Sequence, residues 1–493
     1  MLSMAASPES PVSVEGSKLE KWNCCCNVLH SASINSPSYI ACWDEIANSL
    51  SCLKVYAKEA LYRSFTNQAI IEQIQWLIER SSQLDFQDRC NILCDAFRFL
   101  RNCCAGLSKN QDSVMSSGIP STVMKIIQQC LSTKQELDVK YAKTLVSTGI
   151  QMLGNLVVEN LNNQRIIWRK CYPRFFMSIM QSQFNVAKNY ACMIIYNCIK
   201  ESKRRRDMFI KPEGILLVNT IFEMCTTETE DIEWGMFIVE SLLENELFQM
   251  MYDGLQKTSY RVFLLQFVEQ LSRRSEVASS SMSLTTENAI FLCKEFEYKI
   301  KKILPADVGF DIKESSNELK MISSLLHLLC LLSSFPEHYK NLRCRKSLLE
   351  TILVALRETT NEENKKFFSD LTQFVNPSDH AEISNHPAFA FKKGLIQLIA
   401  NMSYKNTSNQ NDIRQLDCIP LLLNHCNIDA NNPYICQWAI FCLRNVLENN
   451  LENQEVVRSL TKLGLAPNIR LAESGFVVEE TKDGKIRVSA GKP

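Results

Sequence analysis

Side-chain amides recur in this chain at a fixed spacing. Asn102, Asn155, Asn401 and Asn445 are each followed eight residues later by an Asn-Gln pair, at Asn110-Gln111, Asn163-Gln164, Asn409-Gln410 and Asn453-Gln454. A primary amide carries two donors and one acceptor, so a row of them is suited to holding peptide backbone. Two readings are open. The four asparagines line a groove and clasp an extended peptide from another protein, or they pin the loops between structural repeats of their own chain.

The remaining chemistry-bearing residues form no enzyme constellation. The sequence has no Gly-rich phosphate loop, no HExxH and no GxSxG elbow, so no catalytic residue and no cofactor is expected. The 21 cysteines are an odd number without a single CxxC. Neither the run Cys24-Cys25-Cys26 nor the pair Cys103-Cys104 has zinc-ligand spacing. Most lie in apolar helical patterns, where a thiol acts as a small hydrophobe in a reducing compartment. Cys418 and His425-Cys426 lie close in sequence but fit no known metal spacing, and a core role is expected for them. The run Lys203-Arg204-Arg205-Arg206 reads as a helix end whose cations complement the dipole, or as a localisation signal or anion site.

These residues need elements to position them, and the elements are helical. Hydrophobic residues make up 46% of the chain, with only 14 Gly and 14 Pro among 493 residues, a balance that favours long helices over turn-rich sheet. Ile70, Ile71, Ile74, Leu77 and Ile78 form one helical stripe. The first clear repeat can be followed in detail. One helix carries Phe97, Leu100 and Asn102. Asn110 is expected to cap a short second helix, Gly118 to allow a turn, and Pro120 to begin a third helix. A helix, a short helix, a turn and a helix over about 40 residues is the armadillo or HEAT unit. Asn197 and Ser241 fall at similar spacing but lack the Asn-Gln pair. The expected fold is therefore all-α: an armadillo/HEAT-like solenoid forming a right-handed superhelix, with a short hairpin-like tail.

The expected organisation is a flexible Ser-rich leader over 1–37, helical repeats over 38–356, a polar inserted loop over 357–388, further repeats over 389–470 and the hairpin-like tail over 471–493. A second polar linker is expected at 275–288. In the last full repeat Trp438, Ile440, Phe441 and Leu443 share one helix, part of the set facing the core. Residues 321–335 are the most apolar run, but a bilayer needs about 20 residues, so a buried core helix is expected there. No secretory signal is expected at the N-terminus. The 54 basic and 54 acidic residues cancel, leaving no net field to draw the chain to nucleic acid or into a membrane.

The segment FKKGLIQLIANMSYKNTSNQNDIRQLDCIPLLLNHCNIDANNPYICQWAIFCLRNVLENNLENQ, residues 391–454, resembles the characteristic C-terminal region of the ataxin-10 family. FRFLRNCCAGLSKNQDSV (97–114), MLGNLVVENLNNQRIIW (152–168) and GFVVEETKDGKIRV in the tail resemble other parts of the same family, so the likeness covers about half the chain. It implies a non-enzymatic armadillo-like scaffold for protein–protein interactions. The implied localisation is cytoplasmic and perinuclear, with centrosome, basal body and midbody. The implied roles are neuronal survival, neurite outgrowth through Ras–MAP-kinase signalling, and cytokinesis. The implied partners are a G-protein beta subunit, the O-GlcNAc transferase and the chain itself. The alternative is a peptide-groove transport adaptor or import-type receptor. Nuclear import receptors place Trp four residues before the groove Asn; here those positions hold Arg98, Gln151, Gln397 and Phe441.

Overall fold

Helical stripes with caps at their starts dictate almost all of the backbone. The structure, a computed structural model, describes residues 11–34, 43–133, 136–227, 233–243, 247–278, 284–304, 312–361, 364, 368, 386–460, 476–480 and 486–490. The chain divides into two compact units, Met1–Phe291 and Leu292–Pro493.

The first unit begins with α1 (Pro11–Ile34), α2 (Trp43–Tyr56), α3 (Ala60–Ser64) and α4 (Gln68–Arg80). Three repeats follow: α5 (Phe86–Cys104), α6 (Ser108–Ser116) and α7 (Ile119–Leu131); α8 (Glu136–Val157), α9 (Leu161–Cys171) and α10 (Arg174–Met180); α11 (Asn185–Ile199), α12 (Lys203–Arg206) and α13 (Pro212–Thr227). A fourth set comprises α14 (Glu233–Leu243), α15 (Phe248–Gly254) and α16 (Thr258–Ala278). Long helices stack on long helices in chain order, from α2 through α5, α8 and α11 to α14. The third helices of successive repeats, α7, α10, α13 and α16, stack in a second layer. This is the nearest-neighbour packing of a solenoid.

Local sequence explains each piece. The Asp85 side chain caps α5 by accepting from the Asp88 N–H at 3.0 Å. Ile92, Leu93, Ala96, Phe97, Leu100 and Cys104 then recur at helical spacing and are buried. Gly118 has φ +86° before α7, and Pro120 sits in its first turn.

The expected flexible leader is corrected for residues 11–34, which form α1. A sparse stripe explains it: Trp22, Leu29 and Ala32 are buried, and α1 packs on α2 and α4. The Trp22 ring lies 5.5 Å from Tyr62 and 6.1 Å from Phe99. Ser-rich composition hides so few anchors, and only the packing shows that they share a face. Residues 1–10 and 35–42 lie outside the described residues. So do 279–283 of the expected linker, although α16 reaches Ala278 on one side of it.

α17 (Thr286–Ile303) contains the point where the units divide. The second unit continues with α18 (Ile312–Ser333), α19 (Lys340–Arg343) and α20 (Lys346–Glu358), then α21 (Phe391–Ser403), α22 (Thr407–Gln415) and α23 (Ile419–Leu423), then α24 (Ile435–Leu447) and α25 (Leu451–Ser459). The long helices α18, α21 and α24 again stack in order. Most of the expected insert, including 369–385, lies outside the described residues. One described residue in it, Phe368, is buried, with its ring 5.3 Å from Phe391. Asn432 Nδ2 donates to its carbonyl at 3.1 Å. Asn432 Oδ1 also accepts from the Lys392 N–H at 3.0 Å, capping α21 from a residue outside that helix. The tail forms β1 (Phe476–Glu480) and β2 (Ile486–Ala490), antiparallel with Phe476 opposite Ala490.

The last repeat separates its apolar residues by face. Part of the set faces the core, as expected: Leu443 is buried, whereas Phe441 and Ile440 are exposed. Leu443→Ala should cost about 2–5 kcal/mol by opening a cavity. Phe441→Ala should change stability by less than about 1 kcal/mol, as for an open site. Chemical denaturation of both variants checks the contrast.

Candidate functional site

A helix leaves its last four carbonyls without intrahelical partners, and the repeated amides are aimed at them. Asn102 Nδ2 donates to Lys54 O at 2.8 Å, and Asn155 Nδ2 to Arg101 O at 2.8 Å. Asn401 Nδ2 donates to Cys330 O at 3.0 Å and to Ser333 Oγ at 2.9 Å; Asn445 Nδ2 donates to Ala400 O at 3.0 Å. Every carbonyl acceptor lies in the last turn of the preceding long helix: α2, α5, α18 and α21. The four asparagines therefore tie helix to helix across repeats.

The Asn-Gln pairs take the carbonyls at the end of their own repeat's long helix. Asn110 Nδ2 bonds Cys103 O at 2.9 Å, and Gln111 Nε2 bonds Cys104 O at 3.3 Å. The same seven-residue reach joins Asn163 to Leu156 O, Gln164 to Val157 O, Asn409 to Met402 O, Gln410 to Ser403 O, Asn453 to Val446 O and Gln454 to Leu447 O. Some of these amides also reach the next repeat. Gln111 donates to Asn155 O at 2.9 Å and Gln410 to Asn445 O at 2.8 Å. These pairs are buried, apart from Gln454, which is half-buried.

Two further positions complete the unit. Four residues after the first Asn the chain turns left-handed, at Gly106, Glu159, Lys405 and Asn449, with φ between 51° and 71°. One residue later stands the true N-cap of the short helix. Asn160, Asn406 and Asn450 accept from the N–H groups of Asn163, Asn409 and Asn453 at 3.0, 3.2 and 3.1 Å. Leu107 fills that position in the first repeat without a side-chain cap. The expected cap at Asn110 is thus corrected: Asn110 lies inside α6 and is buried. The three capping asparagines were legible as an Asn-x-x-Asn-Gln spacing, which Leu107 hides in the first copy. Asn160 Nδ2 also donates to Gln111 Oε1 at 3.0 Å, and Asn450 Nδ2 to Gln410 Oε1 at 3.3 Å, so the network runs on between repeats.

The basic run occupies the same place in the third repeat. Arg205 and Arg206 follow Asn197 by eight and nine residues. Arg205 Nη1 donates to Cys198 O at 2.5 Å, and Arg206 Nη1 to Ile199 O at 2.8 Å. Two guanidiniums thus replace the Asn-Gln pair, while Lys203 and Arg204 stay exposed. Asn197 donates to Met193 O of its own helix at 2.9 Å. Before Asn401, Arg343 takes the glutamine's role, with its Nε donating to Asn401 O at 2.8 Å and its Nη2 to Tyr404 O.

The other candidates are structural. His425 is buried, with Nδ1 2.8 Å from Leu421 O, and burial lowers its pKa. Cys418 Sγ lies 3.5 Å from Arg357 Nη2. Among the described residues no three His, Cys, Asp or Glu gather as a metal site. Burial pushes the Cys103 thiol up to about 12 and Cys104 well above its usual value, which keeps both protonated and unreactive.

Comparison with known proteins follows the same motif. A family model described as the spinocerebellar ataxia type 10 protein domain matches residues 391–489, from α21 to β2. Ataxin-10 of Xenopus tropicalis is 30% identical over 463 residues, spanning 91% of this chain and 93% of that protein. The chain belongs to the ataxin-10 family. Human ataxin-10 is 24% identical over 448 residues, spanning 88% of this chain and 92% of its own length. The ataxin-10 homolog of Dictyostelium discoideum is 46% identical over 97 residues, 20% of this chain. Family likeness thus extends well beyond the half of the chain that its motifs mark.

Asn445→Ala should remove a buried amide that ties α24 to the Ala400 carbonyl, which keeps the Tyr404 N–H and the Ser403 hydroxyl as donors, and cost about 1 kcal/mol. Asn155→Ala should behave alike. Thermal melting set beside partner pull-down is the check: binding should fall only as far as folding does.

Proposed function

We propose that this ataxin-10 family member is a non-enzymatic helical-repeat scaffold that binds proteins, including a second copy of itself. The repeated polar side chains are engaged in holding helix to helix, which leaves surfaces rather than reactive groups as the working parts. A transport adaptor built on an amide clasp is disfavoured, because all four asparagines donate to their own backbone.

One observation carries the self-association reading. Ile440 on α24 stands 44 residues after Ile396 on α21, at the same place in the repeat. Ile396 is 0% exposed, on a helix packed against the following repeat, whereas Ile440 is 57% exposed. Phe441 on the same helix and Tyr434 just before its start are also exposed. The surface that each repeat presents to its successor is open on the last long helix. A like surface from a second copy suits it, because such a contact extends the packing the fold already uses.

Family membership supports the finer assignments: roles in neuronal survival, in neurite outgrowth through Ras–MAP-kinase signalling and in cytokinesis. It also supports a G-protein beta subunit and the O-GlcNAc transferase as partners. The localisation it supports is cytoplasmic and perinuclear, with centrosome, basal body and midbody. No helix among the described residues is long and apolar enough to cross a membrane.

In sedimentation velocity the native chain should run as an oligomer. The double variant Ile440→Asp, Phe441→Asp should run as a monomer with unchanged helicity. An oligomer that survives the double substitution would move the contact elsewhere.

A further inference from the structure

The first unit presents a second surface, formed by the long helices α5, α8, α11 and α14, on which charge and apolarity are segregated. At the α5 end stand Lys54, Arg98 and Arg101. Asp95 lies 2.7 Å from Lys54 and 3.0 Å from Arg98, and a carboxylate so shared has little left for Arg101. The Arg101 guanidinium is half-buried and bonds only neutral amides: Asn102 Oδ1 at 3.2 Å and Gln151 Oε1. Among the described residues no carboxylate pairs with it. Burial and the neighbouring Arg98 lower its pKa, and the nearby Tyr190 hydroxyl offsets this in part. A cation out of water without a counter-ion favours a ligand that brings one.

Close contacts join α8 to α11 and α11 to α14 along this face. Met193 of α11 lies over Gly154 of α8, where an added Cβ would sit 2.2 Å from its Cε. One turn along α11, Tyr196 joins Trp234 and Phe237 of α14 in a mutual cluster, with ring centroids 5.6–5.8 Å apart. All three rings are only half-buried. The positions four residues before the Asn or its equivalent therefore run Arg98, Gln151, Met193, Phe237: cationic, polar, apolar, aromatic.

We infer that this face docks an extended acidic peptide, its carboxylates on Arg98 and Arg101 and an apolar anchor against Tyr196, Trp234 and Phe237. Four helices spaced about 8–10 Å apart separate the two ends by roughly 25–30 Å. Extended chain at about 3.3 Å per residue spans that gap in about eight residues. The charge excludes the basic peptides that import receptors carry. The inference rests on the scaffold reading and assigns one of its surfaces, distinct from the open face of α24.

The test is fluorescence anisotropy with a fluorescein-labelled peptide of about twelve residues, carrying Leu-Phe at one end, a Ser-Gly spacer, and Glu-Glu-Glu at the other. Replacing Glu by Lys should weaken binding by about tenfold or more, and added salt should weaken it as well. Arg98→Gln with Arg101→Gln should remove the preference for Glu over Lys. Phe237→Ala should weaken both peptides alike. If Phe237→Ala unfolds, the half-buried Arg98→Gln alone decides, with a measurable loss expected. Equal binding of the Glu and Lys peptides, or unchanged affinity in the arginine variants, overturns the proposal. Sedimentation of the native chain keeps the two ideas apart: self-association with no binding of the Glu peptide by that chain rejects this face and leaves the scaffold standing.

Discussion

The carbonyl ends of the long helices are the constraint on which this fold depends. Stacking long helices side by side brings their C-termini, each with unpaired acceptors, away from water. The protein answers with side-chain amides. Asn110 and Gln111 cover the last carbonyls of α5, and Asn155 covers one more from the next helix over. A primary amide suits the task because its two N–H donors can serve two carbonyls at once, as Asn110 does for Cys103 and Arg63. Inter-repeat geometry is thus set by directional bonds as well as by apolar contact.

The same constraint explains residues that look functional in isolation. A basic run invites thoughts of a localisation signal, yet Arg205 and Arg206 satisfy the end of α11 where the amide pair is missing. Arg343 does the equivalent for α21. Guanidiniums replace amides here because they too present several donors in a fixed plane. In the second unit, charge is used inside the packing in another way. Lys392 and Asp429 form a buried pair at 2.6 Å beside the capped start of α21, and Arg345 meets Glu297 at 2.6 Å. Breaking one partner of such a pair would strand the other charge. What remains for partners is the outside: the open flank of α24 and the graded face from α5 to α14.

Sequence alone determined the class of structure. Period-3.6 stripes required helices, the recurring Asn and Asn-Gln required a repeat, and the block 391–454 carried the family. It also located all four inter-repeat asparagines, because a fixed spacing survives in one dimension. It left open what the amides hold. The acceptors, Lys54, Arg101, Cys330 and Ala400, lie 45 to 71 residues away and are backbone carbonyls, which no residue type advertises.

Only the tertiary structure decided the rest. It turned 11–34 from a Ser-rich leader into a packed helix, because three anchors suffice when a groove already exists for them. It moved the cap from Asn110 to the residue three before it, since helix starts depend on where the left-handed turn falls. Ile396 and Ile440 are the same residue in the same register of the same motif, one fully covered and the other open. Position in the stack separates them: burial in a solenoid is supplied by the neighbouring repeat, and the last long helix has none beyond it among the described residues.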